Sequence, residues 1–145
     1  VKAVVQRVTR AKVSVDGQTV GAIAAGLVVL LAVGKADGEG EAQWMANKIA
    51  HLRIFEDEAG KFNRSIVDVE GQVLLVSQFT LYGDVRKGRR PSFTEAAHPE
   101  LAEALIARVA ELLMSHGVPV ASGKFQAHML VEIHNDGPVT IILEK

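Results

Sequence analysis

Val4–Thr9 and Lys12–Val15 alternate apolar with polar residues, the period-two signature of strands with one buried face. Asp16-Gly17 between them and the next alternating run, Gln18–Ile23, predicts a two-residue hairpin. Leu27–Val33 and Val73–Phe79 are apolar almost throughout, as strands covered on both faces are. The period changes at Glu41–Leu52, where Trp44, Met45, Ile49 and Leu52 recur at helical spacing. A second helix starts near Pro99 and carries Leu101, Leu105, Ile106, Val109, Leu112 and Leu113 on one stripe. Gly117 ends it, with Pro119 just beyond. Leu52–Phe55 is expected as a strand and Asp57–Gly60 as a turn. Phe125–Ile133 and Val139–Leu143 are expected as the last two strands, joined by a turn at Asn135-Asp136-Gly137-Pro138.

Many strands, two main helices and several hairpin-length connections predict an α+β fold built on a curved, largely antiparallel, barrel-like sheet. No repeat, low-complexity tract or linker divides the chain, so residues 1–145 are read as one domain. Apolar residues make up 48% of the sequence and charged ones 23%, which suffices for a full core and argues against disorder. With no cysteine, disulfides, thiolate nucleophiles and cysteine-based zinc sites are excluded. No segment resembles a signal peptide or a membrane span. The expectation is a cytoplasmic protein, with no membrane partner, lacking only an initiator methionine.

The net charge of −1 excludes a wide nucleic-acid footprint but not a local one, because four of the 16 basic residues fall in Arg86-Lys87-Gly88-Arg89-Arg90. That run is either a solvated loop or a small phosphate-binding patch. No Gly-x-Ser-x-Gly elbow is present, and the histidines at 51, 98, 116, 128 and 134 lack metal-ligand spacing, so neither a metal nor a cofactor is expected. Thr80 follows a buried run and should lie at a strand end. Its hydroxyl either bonds its own backbone or faces a site. Phe79 is either core or a pocket wall. Backbone N–H groups at such a strand end could also form an oxyanion hole. Gly137-Pro138 combines free backbone choice with a donor-free, φ-restricted residue, and so can present carbonyl oxygens at fixed spacing.

Taken together, these segments resemble the D-aminoacyl-tRNA deacylase (D-tyrosyl-tRNA deacylase) family. Leu75-Val76-Ser77-Gln78-Phe79-Thr80-Leu81-Tyr82, followed by Arg86-Lys87-Gly88-Arg89-Arg90-Pro91-Ser92-Phe93, is similar to its central signature. Asn135-Asp136-Gly137-Pro138-Val139-Thr140 is similar to its C-terminal one. Ala3-Val4-Val5-Gln6-Arg7-Val8 and Leu52-Arg53-Ile54-Phe55 match as well, so the likeness spans the chain. One departure is Gln126-Ala127-His128-Met129, where the family usually has Gly-Ala-x-Met; another is Tyr82-Gly83-Asp84-Val85.

The resemblance implies hydrolysis of the ester joining a D-amino acid, or glycine, to tRNA. It implies Ser77, Gln78, Phe79 and Thr80 as the catalytic segment, and Gly137, Pro138 and Met129 as the substrate-binding and chirality-selecting residues. Arg86, Lys87, Arg89 and Arg90 would contact tRNA. It further implies a homodimer in which Gly137-Pro138, with a cis bond, enters the partner's pocket. Two other readings differ in kind. A hydrolase of small D-amino acid esters would not need the basic run. A non-catalytic nucleic-acid module would leave the Gly-Pro segment without a role.

Overall fold

The structure is a computed structural model describing residues 1–145. Its main sheet is mixed and has the order β2-β1-β3-β6-β7, with β8 pairing β1 as well. The strands are β1 (Lys2–Val15), β2 (Gln18–Ile23), β3 (Gly26–Ala32), β6 (Gln72–Ser77), β7 (Val120–Ser122) and β8 (Leu130–Glu144). A small separate ribbon pairs β4 (Phe55–Glu56) with β5 (Phe62–Arg64). Helix α1 (Glu39–His51) and helix α2 (Pro99–Ser115) pack on each other and on one face of the sheet.

β1 pairs β2 antiparallel through the hairpin predicted at Asp16-Gly17, and it also pairs β3 and β8 antiparallel. β3/β6 and β6/β7 are parallel. The reason is topological: α1 lies between β3 and β6, and α2 between β6 and β7, and such helical crossovers return the chain in the same direction. The sheet curls until its ends meet, with Gly21 of β2 so close to β7 that a Cβ there would sit 2.6 Å from the Ser122 carbonyl oxygen. The curled sheet is thus a nearly closed barrel.

The unbroken apolar runs are explained by two cores, one on each face. In β3, Leu27, Val29 and Leu31 face the helices and meet Met45, Ile49, Val109 and Leu113. Val28 faces the barrel interior with Leu74 and Val76 of β6 and Val8, Val13 and Ile23. Burying a side chain of this size contributes about 1.5–3 kcal/mol, so both layers matter to stability.

Four expected boundaries are corrected. Val4–Thr9 and Lys12–Val15 are one strand, β1, with an irregular register at Val8/Ala11. The strand expected over Val73–Phe79 stops at Ser77, after which Phe79–Tyr82 turn as a 3-10 helix and Phe79 is 54% exposed. The two expected final strands are a single one, β8, so Asn135-Asp136-Gly137-Pro138 is not a hairpin turn. β8 stays antiparallel to β1 from Leu130 to Glu144, and β1 is long enough to pair both halves. Between the pairs Gln6↔Thr140 and Val8↔Asn135, the single β1 residue Arg7 faces four residues of β8, Asp136 to Val139. The surplus residues bulge out of the ladder. The expected Phe125–Ile133 strand begins only at Leu130, and the short β7 precedes it.

Candidate active site

β6 carries the central segment to the edge of the barrel. Gln78 N donates to the Leu31 carbonyl at 2.8 Å, and the chain then leaves the sheet. In the 3-10 turn that follows, Leu81 N reaches Gln78 O at 3.1 Å and Gly83 N reaches Thr80 O at 2.9 Å. The backbone N–H groups of Phe79 and Thr80 come before the first hydrogen bond of that turn and have no partner inside it. This is the ordinary condition of a helix start, and it leaves two donors for a ligand. The Gln78 side-chain amide donates to Thr80 Oγ1. Tyr82 anchors the far end of the turn, packed on Gly34, with the Lys2 ammonium 4.8 Å from its ring centroid. Burial first, then the charges of Asp37 and Glu144, push the Tyr82 phenol up to about 12, so it stays neutral.

A cavity of about 950 Å³ opens beside this turn. Ser77, Gln78, Phe79, Thr80 and Met129 all line it, so the structure brings together five of the residues expected from sequence. Phe93 and Phe125 add aromatic walls, and the Phe79 and Phe93 rings meet edge to face at 5.1 Å. His98, just before α2, and His128 line it too, and neither hydrogen-bonds Thr80. Sequence reasoning missed Phe93, Phe125 and His98 as walls, because loops far apart in the chain converge only in the fold.

Gly137 and Pro138 do not line this cavity within the chain. They stand exposed on the bulge of β8, and their peptide bond is cis. A network fixes the base of the bulge. Asn135 Oδ1 accepts from Val139 N at 3.0 Å, and Thr140 Oγ1 accepts from Asn135 Nδ2 at 3.0 Å and Gln6 Nε2 at 3.1 Å. Arg7, the residue opposite the bulge, is buried. Its Nε donates to Asp136 O at 3.1 Å and its Nη1 to Ile54 O at 2.9 Å. The alternation Ala3, Val5, Arg7 was the available signal, a cation on the apolar parity of a strand.

The basic run forms the tip of a loop closed by mutual backbone hydrogen bonds between Asp84 and Ser92, at 2.8 and 2.9 Å. All four cations are exposed, but they are not equivalent. Arg86 is clamped to Asp84 through Nη2–Oδ2 at 2.7 Å and Nε–Oδ1 at 2.9 Å. Those hydrogen bonds hold the Asp84 carboxyl down at about 2. Lys87, Arg89 and Arg90 make no ion pair. The base of this loop adjoins the cavity, since Phe93 follows Ser92 directly.

The fold and cavity define a single-domain mixed barrel with a site built where a central strand leaves the sheet. It superposes with a TM-score of 0.93 on a solved structure of c-Myc DNA Unwinding Element Binding Protein, at 46% identity, covering 100% of this chain and 99% of that one. A family model described as D-Tyr-tRNA(Tyr) deacylase matches residues 4–144. D-aminoacyl-tRNA deacylase of Heliobacterium modesticaldum is 62% identical over 143 residues, covering 99% of this chain and 95% of that protein. Its counterpart in Thermotoga petrophila is 59% identical, with 99% and 96% covered. The chain belongs to the D-Tyr-tRNA(Tyr) deacylase family.

Proposed function

We infer that the chain is a D-aminoacyl-tRNA deacylase, which hydrolyses the ester between a D-amino acid and the terminal ribose of tRNA as a proofreading step. The observation that carries the mechanism is the meeting of Ser77–Thr80 and Met129 at one cavity, beside the two N–H groups that lead the 3-10 turn. Attack of water on the ester carbonyl develops an oxyanion, which preorganised backbone donors stabilise. The N–H groups of Phe79 and Thr80 take that role. Thr80 Oγ1 receives a hydrogen bond from Gln78 and has no base bonded to it, so it positions substrate or water rather than attacking. The neighbouring ribose 2′-OH assists proton transfer.

The chiral filter is the Gly137-Pro138 bulge. It bulges out of the β1–β8 ladder and does not line the cavity of its own chain, which supports its serving the cavity of a second copy. Carbonyl oxygens presented there accept the substrate ammonium and leave no room for an L side chain, whereas a D side chain points away. Glycine has no side chain to reject, so glycyl-tRNA is a second substrate. Lys87, Arg89 and Arg90 are free for phosphates on a loop whose base adjoins the cavity, with Arg86 shaping the loop. A nucleic-acid-binding reading has one observation in its favour, the printed name of the 46% identical structure. It leaves the cavity unexplained, and the family and relatives named above favour hydrolysis.

Sedimentation should give about twice the chain mass of 15.5 kDa, and activity per chain should fall on dilution as the dimer dissociates. A fully active monomer would overturn the shared site.

A further inference from the structure

Three residues other than glycine hold a positive φ: Asp16, Glu70 and Gln126. Two have local reasons. Asp16 precedes Gly17 in the β1–β2 hairpin, where aspartate is a usual residue. Glu70 closes the turn before β6, with its N–H on the Val67 carbonyl at 3.3 Å. Gln126 is the exception. Ala127 N donates to Lys124 O at 3.1 Å, closing a four-residue turn with Phe125 and Gln126 at its centre. A φ of +63 at the third residue is the type II arrangement, the place glycine normally fills. An unbranched L side chain is crowded there, and such positions persist where the surroundings or a function maintain them.

The function follows from where the side chain stands. Gln126 lines the same cavity as Thr80, beside Phe125 and His128, and its amide makes no hydrogen bond within the chain. We propose that Gln126 is a specificity-determining residue whose amide reads the edge of the terminal adenine of the tRNA, with Phe79, Phe93 and Phe125 as apolar walls for the base. This rests on the deacylase reading, which brings that adenosine to the cavity along with the ester. A primary amide matches adenine in both directions: Oε1 accepts from the N6 amino group while Nε2 donates to N7. Aromatic faces accept any base, so discrimination falls to the amide.

The test compares D-tyrosyl-tRNA ending in adenosine with the same tRNA ending in inosine, which has a carbonyl in place of the N6 amino group. Native protein should show a KM roughly tenfold higher for the inosine end, the discrimination expected for a lost bidentate base contact. Q126G places a residue suited to φ +63 and should melt no lower than native. It should nevertheless lose the preference, its adenosine KM rising to the inosine value. Q126E keeps the acceptor but loses the donor, and should also bind the adenosine end more weakly. Equal KM for both ends in the native protein, or a preference that Q126G retains, would overturn the assignment. Absence of D-tyrosine release from either tRNA is a distinct result, and would fell the deacylase reading along with this one.

Discussion

Arg7 donates through Nε to the carbonyl oxygen of Asp136 at 3.1 Å, tying β1 to the bulge that carries Gly137 and Pro138. The guanidinium is nearly enclosed, at 8% exposure, and its second branch holds the Ile54 carbonyl at 2.9 Å. One side chain therefore fixes the bulge to the strand and to the segment after α1.

Arg7→Lys keeps the charge but cannot bond both carbonyls in fixed fork geometry. Loss of a charged hydrogen bond with a buried acceptor left unpaired should cost about 2–3 kcal/mol of stability. Denaturant unfolding measures that cost. Activity should fall further than stability explains, because the bulge loses its aim. A variant as stable and active as native would remove Arg7 from the account.

Gly137→Ala tests the bulge itself. Gly137 has φ +131, and a Cβ there would sit 2.8 Å from Val139 Cγ2 and 3.2 Å from Arg7 Nη2. Val139 is buried and Arg7 is pinned, so neither gives way easily. The bulge should shift, and kcat/KM for D-aminoacyl-tRNA should fall while the fold, followed by circular dichroism, persists. Native activity in this variant would mean that the bulge does not reach substrate.

How much was legible beforehand differs between fold and site. Period-two alternation identified β2 and, as two pieces, β1; unbroken apolar runs identified β3 and β6, and period-3.6 spacing both helices, because each mode of burial leaves its own pattern. The continuity of β8 was hidden, since Gly137-Pro138 is punctuation in sequence whether the chain reverses or merely bulges. Only the pairing of β1 with both halves decides that. Likewise Ser77–Thr80 and Met129 were named from their motifs, whereas the Phe93 and Phe125 walls depend on loop convergence that no periodicity encodes.

Thr80→Ala should lower kcat by less than about 100-fold, well short of the roughly 10⁶-fold loss of a true nucleophile. Its hydroxyl is engaged by the Gln78 amide, not by a base. Rapid quench would expose an aminoacyl-Thr80 ester if one formed, and finding it would contradict the water mechanism.

Removing Lys87, Arg89 and Arg90 together should reduce the slope of log K against log salt for tRNA by about one unit per lost phosphate contact. Arg86→Ala should change the slope least and disturb loop order most, since Asp84 already holds that guanidinium. pH gives a second readout. The Asp84 carboxyl lies at about 2 instead of 3.8, chiefly through the Arg86 side chain. A lowered carboxylate contributes order that is fully present above its unfolded value and lost as pH falls through the folded one. Protection of the Arg86 amide, whose N–H bonds Asp84 Oδ1 at 3.0 Å, measured against its intrinsic exchange rate at each pH, should hold at pH 5 and be lost as pH approaches 2. An unchanged salt slope in the triple variant would make the run a solvated loop.

The most direct measurement is the release of amino acid from matched D- and L-aminoacyl-tRNA by the native protein. The account predicts rapid hydrolysis of the D ester, hydrolysis of the glycyl ester, and an L ester left intact. Equal rates on D and L esters, or no hydrolysis of either, would contradict it.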